Sequence, residues 1–335
     1  ATGVRCLARA GDMAVVGLTE VFSKLGMILG IMRKLKRSLW EEKPALIILI
    51  DYPDFNMPLA RAAKKRGVPV FYYISPQVWA WRRGRIKQLR QCVDRMAVIL
   101  PFEAEMYRRE GMAVEFVGHP LLDGINTKYH RSEAIRRFDL REEGSIIGLL
   151  PGSRPGEVTK LLPEMLAAAG IIKQELPTAQ FVLPLADTLD RDGMEEMIRP
   201  CQEKLNVKII GNEIYEVLAV CDAAMVASGT ATLETALIGV PMIIVYKISL
   251  FTYLMGRIFV NVDHIGLANI IAGKTVVPEL IQQDVNPPRM AKEILAILND
   301  VERKNRIKRE LAGIREKLGA PGASRRAANL AMEML

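Results

Sequence analysis

Cysteine is scarce in this chain, and histidine scarcer still. The four cysteines, Cys6, Cys92, Cys201 and Cys221, show no metal-knuckle spacing and no disulfide framework. They read as reduced thiols of a cytosolic protein. The three histidines, His119, His130 and His264, are scattered and read as structural. No acidic cluster is spaced to hold a metal, so neither a metal nor another cofactor is expected. Long apolar runs are also missing. No stretch reaches the roughly 18 uninterrupted apolar residues of a spanning helix. The nearest, Val240–Val262, is broken by Lys247 and Arg257. Secretory signal, internal repeat and low-complexity tract are absent as well. Together these absences exclude a disulfide scaffold, a zinc module and a membrane-spanning protein.

What remains is a globular composition: 335 residues, 50% hydrophobic and 25% charged. That length suits two domains, each able to bury a core. Short apolar runs alternate with helical patterns, at Ala45–Ile50, Val70–Ile74, Met96–Leu100, Ile146–Leu150, Phe181–Leu185, Val207–Ile210, Ala223–Ala227 and Met242–Val245. Such alternation predicts parallel sheets covered by helices, an α/β fold. The polar segment 124–143 reads as the connection between domains. The first strand-like run comes late, and the chain opens at Ala1. The first βαβ segment of the N-terminal domain is therefore expected to be absent.

Net charge is +8, so anionic partners are expected. One basic group, Arg33-Lys34-Leu35-Lys36-Arg37, follows the apolar stretch Val21–Met32. Basic residues beside an apolar helical face suit an anionic membrane surface better than a nucleic-acid groove. No nucleic-acid partner is expected. A solvated basic face is the plain alternative.

Two motifs about eighty residues apart carry most of the chemical information. Leu150-Pro151-Gly152-Ser153-Arg154 ends one apolar run, and a helical pattern opens near Glu157. Ser228-Gly229-Thr230-Ala231-Thr232-Leu233-Glu234 ends another and also opens a helix. A strand that stops where a helix starts turns backbone N–H groups and the positive helix end toward one crevice, which suits phosphate. Two such mouths predict a nucleotide or nucleotide-sugar site in an open α/β sheet. Either turn alone is an ordinary loop.

In the first half, Asp51 and Asp54 follow the run Ala45–Ile50 and flank a stiffening proline. A carboxylate there can accept a proton from an attacking hydroxyl. Either could instead be an Asx turn or the cap of a helix over Phe55–Arg66. Trp79 and Trp81 stand beside Arg82, Arg83 and Arg85, an arrangement that suits phosphate with sugar or acyl surface. A packed loop with a solvated basic edge is the alternative.

Taken in order, Asp51-Tyr52-Pro53-Asp54-Phe55-Asn56, Ser75-Pro76-Gln77-Val78-Trp79-Ala80-Trp81, Gly118-His119-Pro120-Leu121, Leu150 to Arg154, Ser228 to Glu234 and Val277-Pro278-Glu279-Leu280-Ile281-Gln282 resemble the lipid-A-disaccharide synthase family. The likeness runs from about residue 12 to the C-terminus. It implies two Rossmann-like, doubly wound domains facing a cleft. The expected division is 1–124 for the acceptor and membrane-facing domain, 125–320 for the UDP-sugar donor domain, and 321–335 for a C-terminal helix that packs back on the first.

The implied reaction moves 2,3-diacylglucosamine from UDP to the 6-hydroxyl of 2,3-diacylglucosamine 1-phosphate, with inversion, giving a β-1,6 disaccharide and UDP. The implied base is Asp54, with Asp51 second. Gly152, Ser153, Arg154, Glu157, Ser228, Gly229, Thr230 and Thr232 would surround the diphosphate, and Glu234 the ribose. Asn269, Glu279 and Gln282 would complete the donor pocket, with Trp79, Trp81 and Arg82 on the acceptor side. The implied location is peripheral, on the cytoplasmic face of the bacterial inner membrane, and a homodimer is left open. Rival readings are a peptidoglycan GlcNAc transferase, a UDP-sugar 2-epimerase and a non-catalytic lipid-surface protein.

Overall fold

The computed structural model describes residues 5–8, 18–81, 84–125, 129–248 and 263–335, apart from the side chains of 18–24, 80 and 81. The chain divides into two compact units. Unit 1 comprises Ala1–Pro120 with Pro321–Leu335, and unit 2 comprises Leu121–Ala320.

Unit 1 holds a four-stranded parallel sheet in the order β1-β2-β3-β4. Its strands are β1 (Ile47–Ile50), β2 (Val70–Tyr73), β3 (Arg95–Val98) and β4 (Val114–Phe116). Side chains alternate faces along β2, as the pleat requires. Val70 and Tyr72 join a core with the helices Leu18–Glu41, Pro53–Lys64, Arg85–Cys92 and Pro101–Arg109, while Phe71 and Tyr73 join a second core on the other face. That second core is closed by Ala327, Leu330 and Ala331 of the helix Ala323–Met332. The end of the chain is thus part of the first unit.

Unit 2 holds a six-stranded parallel sheet in the order β10-β9-β8-β5-β6-β7. Its strands are β5 (Ile146–Leu150), β6 (Gln180–Leu185), β7 (Val207–Gly211), β8 (Ala223–Ala227), β9 (Met242–Tyr246) and β10 (Glu279–Ile281). β5 and β8 are buried at every residue, as expected of central strands covered on both faces. The chain winds outward from β5 through β6 to β7, then returns to pair β8 against β5 and winds the other way. The reversal between β5 and β8 is the topological switch point of a doubly wound sheet.

The segment 124–143 differs from the expected connection. It contains the helix Arg131–Arg137, whose first residue donates to Val220 O and pairs with Asp222 at 2.9 Å. Those bonds make it part of unit 2. β4 and β10 were not among the expected strands, because each is only three residues long and carries a glutamate, Glu115 or Glu279.

Candidate functional site

Pairing of Leu150 with Val226 sets the carboxyl ends of β5 and β8 side by side. The two motifs that stand far apart in sequence therefore open from neighbouring strands. Gly152 follows β5 at φ +108, and a Cβ there would lie 2.5 Å from Glu157 Oε2. Only glycine fits this position. The helix Pro155–Glu175 begins just beyond, with Arg154 as its cap residue. Arg154 pairs with Glu157 at 2.9 Å, one turn into that helix. From β8, Gly229 precedes the helix Thr230–Ile238. Two helix starts therefore open from adjacent strand ends at the switch point, with a guanidinium at one of them.

Glu234 lies on the second of these helices. Tyr215 Oη donates to its Oε1 at 3.0 Å. Burial raises the Glu234 pKa, and the tyrosine bond opposes that rise. Ser228 Oγ donates to Ile265 O at 3.0 Å. Thr232 is fully buried and its hydroxyl donates to Gly229 O at 2.8 Å, fastening the start of the helix.

Asn269, Glu279 and Gln282 have their polar atoms engaged by backbone. Asn269 donates to Val277 O at 2.9 Å and to Glu279 Oε1 at 2.8 Å, and accepts from the N–H groups of Val276 and Val277. Glu279 also accepts from Ile265 N and Gly266 N at 2.8 and 3.1 Å. Gln282 exchanges two bonds with the backbone of Ile248. These three side chains hold residue 248 and the segment 265–277 in fixed positions.

In unit 1, Asp51 and Tyr52 both have left-handed backbone, at φ 47 and 45. Two consecutive non-glycine residues in that region are strained. The turn is held by Asn56, which donates to Ile50 O at 3.0 Å and Asp51 O at 2.7 Å, and by Tyr72, which donates to Asp51 O at 2.7 Å. The helix runs over Pro53–Lys64 and its cap residue is Tyr52, with no side-chain cap bond. Asp54 is thus not the cap. It sits in the first helical turn, where the dipole favours a carboxylate, and pairs with Arg85 at 2.5 Å.

Trp79 donates its indole N–H to Glu103 at 3.1 Å and meets Phe102 edge-on at 5.2 Å. Its role in the fold is to anchor the loop. The side chain of Trp81 and all of Arg82 lie outside the described residues, as do the side chains of Val21 and Phe22. Further along the helix Leu18–Glu41, Leu25, Met27 and Leu29 are 41, 42 and 46% exposed.

Tyr215, Tyr72 and Glu103 were not among the expected residues. For Tyr215 and Tyr72 the sequence carries no signal. Glu103 stands three residues after Leu100, the cap residue of the helix Pro101–Arg109, a spacing typical of helix starts that could have drawn attention to it. It is 1% exposed, and burial pushes its pKa up to about 7 against the hydrogen bonds that favour the anion. His119, of the Gly-His-Pro motif, is 6% exposed and burial pushes its pKa down to about 4. Among the described residues there is no group of side chains suited to a metal ion and no helix long and apolar enough to cross a membrane.

Residues 1–334 match the model of the lipid-A-disaccharide synthetase family. A lipid-A-disaccharide synthase from Syntrophus aciditrophicus (strain SB) is 56% identical over 333 residues, which cover 99% of this chain and 87% of the relative. The corresponding protein of Geobacter sulfurreducens is 46% identical, over 99% of this chain and 86% of its own. Solved structures give a different first impression. A Staphylococcus aureus MnaA–UDP structure matches at TM-score 0.62 with 13% identity, over 96% of this chain and 84% of that one. The calicheamicin glycosyltransferase CalG4 matches at 0.56 with 14% identity, over 95% and 81%. At such identity the structural likeness establishes the fold alone, two Rossmann-like units of the kind shared by glycosyltransferases and 2-epimerases.

Proposed function

The chain belongs to the lipid-A-disaccharide synthetase family, and from that premise we propose that it moves 2,3-diacylglucosamine from UDP to the 6-hydroxyl of 2,3-diacylglucosamine 1-phosphate, releasing UDP. It is a glycosyltransferase. The epimerase and peptidoglycan-transferase readings rest on fold likeness at 13 to 14% identity, far below the 46 to 56% of the family relatives.

The observation that carries the donor assignment is the meeting of the Gly152 and Gly229 turns at the β5/β8 switch point. Leaving-group charge builds on the diphosphate as the glycosidic bond breaks. Backbone N–H groups at Gly152–Ser153 and Gly229–Thr230, with Arg154, stabilise that charge without having to reorganise. Arg154 must exchange its Glu157 partner for phosphate. Glu234, steadied by Tyr215, accepts from the ribose hydroxyls. Asn269, Glu279, Thr232 and Gln282 act at one remove, as struts of the pocket.

Inversion needs one base for the acceptor hydroxyl and a single displacement. Asp54 takes that proton, and Asp51 is the second candidate. Arg85 fixes the Asp54 carboxylate, and the strained Asp51–Tyr52 turn fixes the start of its helix. On the membrane side, Leu25 and Leu29, exposed one turn apart on the helix Leu18–Glu41, with Lys36 on the same side, suit peripheral attachment to anionic lipid, where acylated substrates reside. Trp81 and Arg82 retain an acceptor-side assignment by position in the motif.

Incubation with the UDP-linked donor and the 1-phosphate acceptor, followed by mass spectrometry, tests the reading. Disaccharide 1-phosphate and UDP should appear together above a heat-inactivated control. Epimerised UDP-sugar without disaccharide would overturn it.

A further inference from the structure

Glu103 takes no part in the reaction just described, yet three donors converge on it. Oε1 accepts from Ser75 Oγ at 2.8 Å and from Trp79 Nε1 at 3.1 Å, and Oε2 accepts from Leu100 N at 3.2 Å. One helical turn further on, Tyr107 Oη donates to Pro76 O at 3.0 Å. The helix Pro101–Arg109 therefore grips the loop after β2 at residues 75, 76 and 79.

That loop begins under strain. Ile74 has φ 62, a costly conformation for a β-branched side chain. Strained residues persist where their surroundings over-determine them. A buried carboxylate is itself unfavourable unless donors surround it. Here two of the three donors come from the loop, so the carboxylate and the loop hold each other in place. Beyond the loop, the first residue of the helix Arg85–Cys92 pairs with Asp54. Asp54 follows β1, the strand paired with β2.

We propose that Glu103 is a positioning residue for the transfer step: by locking the loop 74–79 through Ser75 and Trp79, it holds the end of β2, where Tyr73 O accepts from Asp51 N at 3.0 Å, and so keeps the Asp51–Asp54 turn in its working geometry. The inference rests on the assignment of Asp54 as base.

The test is Glu103→Gln, with Ser75→Ala and the double variant. The glutamine keeps the volume but has a single acceptor oxygen, so it cannot serve both the Ser75–Trp79 pair and Leu100 N, and its amide hydrogens face one of them. Glu103→Gln should lower kcat with the acceptor on the order of tenfold or more and leave donor KM and UDP affinity within twofold, in a chain that still melts cooperatively. Adding Ser75→Ala to it should cost less than Ser75→Ala costs the wild type, because both act through one contact. Trp79 emission, read in a Trp40→Phe/Trp81→Phe background, should shift in Glu103→Gln. A fall in melting temperature with kcat unchanged would make Glu103 merely structural and overturn the inference. Unchanged Trp79 emission would also overturn it, since the loop would then not be held by Glu103. If Glu103→Gln does not fold, Ser75→Ala alone carries the same expectations at reduced size. Full turnover in Asp54→Asn would instead defeat the base assignment, an outcome separable from the emission result.

Discussion

The hydroxyl of Tyr215 donates to Glu234 at 3.0 Å, joining the helix Ile214–Val220 to the helix Thr230–Ile238. Burial of Glu234 favours its protonated form, and the tyrosine bond favours the anion. The anion is the stronger acceptor for a hydroxyl such as those of a ribose. Removing the hydroxyl with Tyr215→Phe should therefore raise the Glu234 pKa further. UDP affinity should fall by roughly three- to tenfold, the size of one hydrogen bond, and the loss should grow as pH is lowered. Calorimetry at two pH values checks this. An equal loss at both would mean that Tyr215 acts without altering Glu234.

The Asp54–Arg85 pair predicts the outcome of Asp54→Asn. The amide keeps the shape and removes the proton acceptor. Tyr52 is the cap residue, so the helix should survive. Turnover should fall about 10²–10⁴-fold, with UDP binding and melting temperature near normal. Loss of stability in step with activity would contradict this, and a full loss seen only in Asp51→Asn would move the role to Asp51.

Glu103 and His119 predict opposing pH effects on stability. Glu103 titrates near 4.5 when exposed and near about 7 in the fold, so the folded chain holds the extra proton between these values. Its contribution falls as pH rises through that window, by about 3 kcal/mol in all at roughly 1.4 kcal/mol per unit. His119 titrates near 6.5 when exposed and near about 4 in the fold, so its contribution is lost as pH falls through that range. Between pH 4.5 and 6.5 the two offset each other. Glu103→Gln should leave the histidine effect alone, so its stability should rise with pH across that range while wild type stays nearly flat. All three tryptophans, Trp40, Trp79 and Trp81, lie in unit 1, so melts followed by tryptophan emission report on the relevant unit. Parallel curves for the two proteins would contradict the prediction.

Leu25 and Leu29 are exposed one turn apart, so replacing both with Ser should change stability little. The same change should release the chain from anionic vesicles, and wild-type binding should weaken with added salt. Sedimentation with vesicles measures both. Unfolding of the double variant would show that this face is core.

Much of this organisation is legible in the sequence where burial is simple. Ile146–Leu150 and Ala223–Ala227 are apolar throughout because both faces of their strands are covered, and their bounds were read to the residue. The glycine at 152 was legible because a turn at φ +108 tolerates little else. The roles of Asn269, Glu279 and Gln282 as struts were not. Sequence names a polar side chain but not the backbone N–H it faces, and all three face segments brought near only by the sheet. Tyr215 and Glu103 were missed for the same reason, since each acts on a residue 19 to 28 positions away. The helix Arg131–Arg137 was hidden by its polarity, because it is fastened by ion pairs as much as by apolar burial.

The account stands on nucleotide binding where β5 and β8 end, and calorimetric titration of UDP tests that most directly. Wild type should bind one UDP per chain. The Arg154→Ala/Glu234→Ala double variant should lose at least about tenfold in affinity, given roughly 1.5–3 kcal/mol for a charge-assisted bond, with its melting temperature unchanged. Absence of binding by wild type, or equal affinity in the folded double variant, would contradict the donor site and with it the proposed role of this chain.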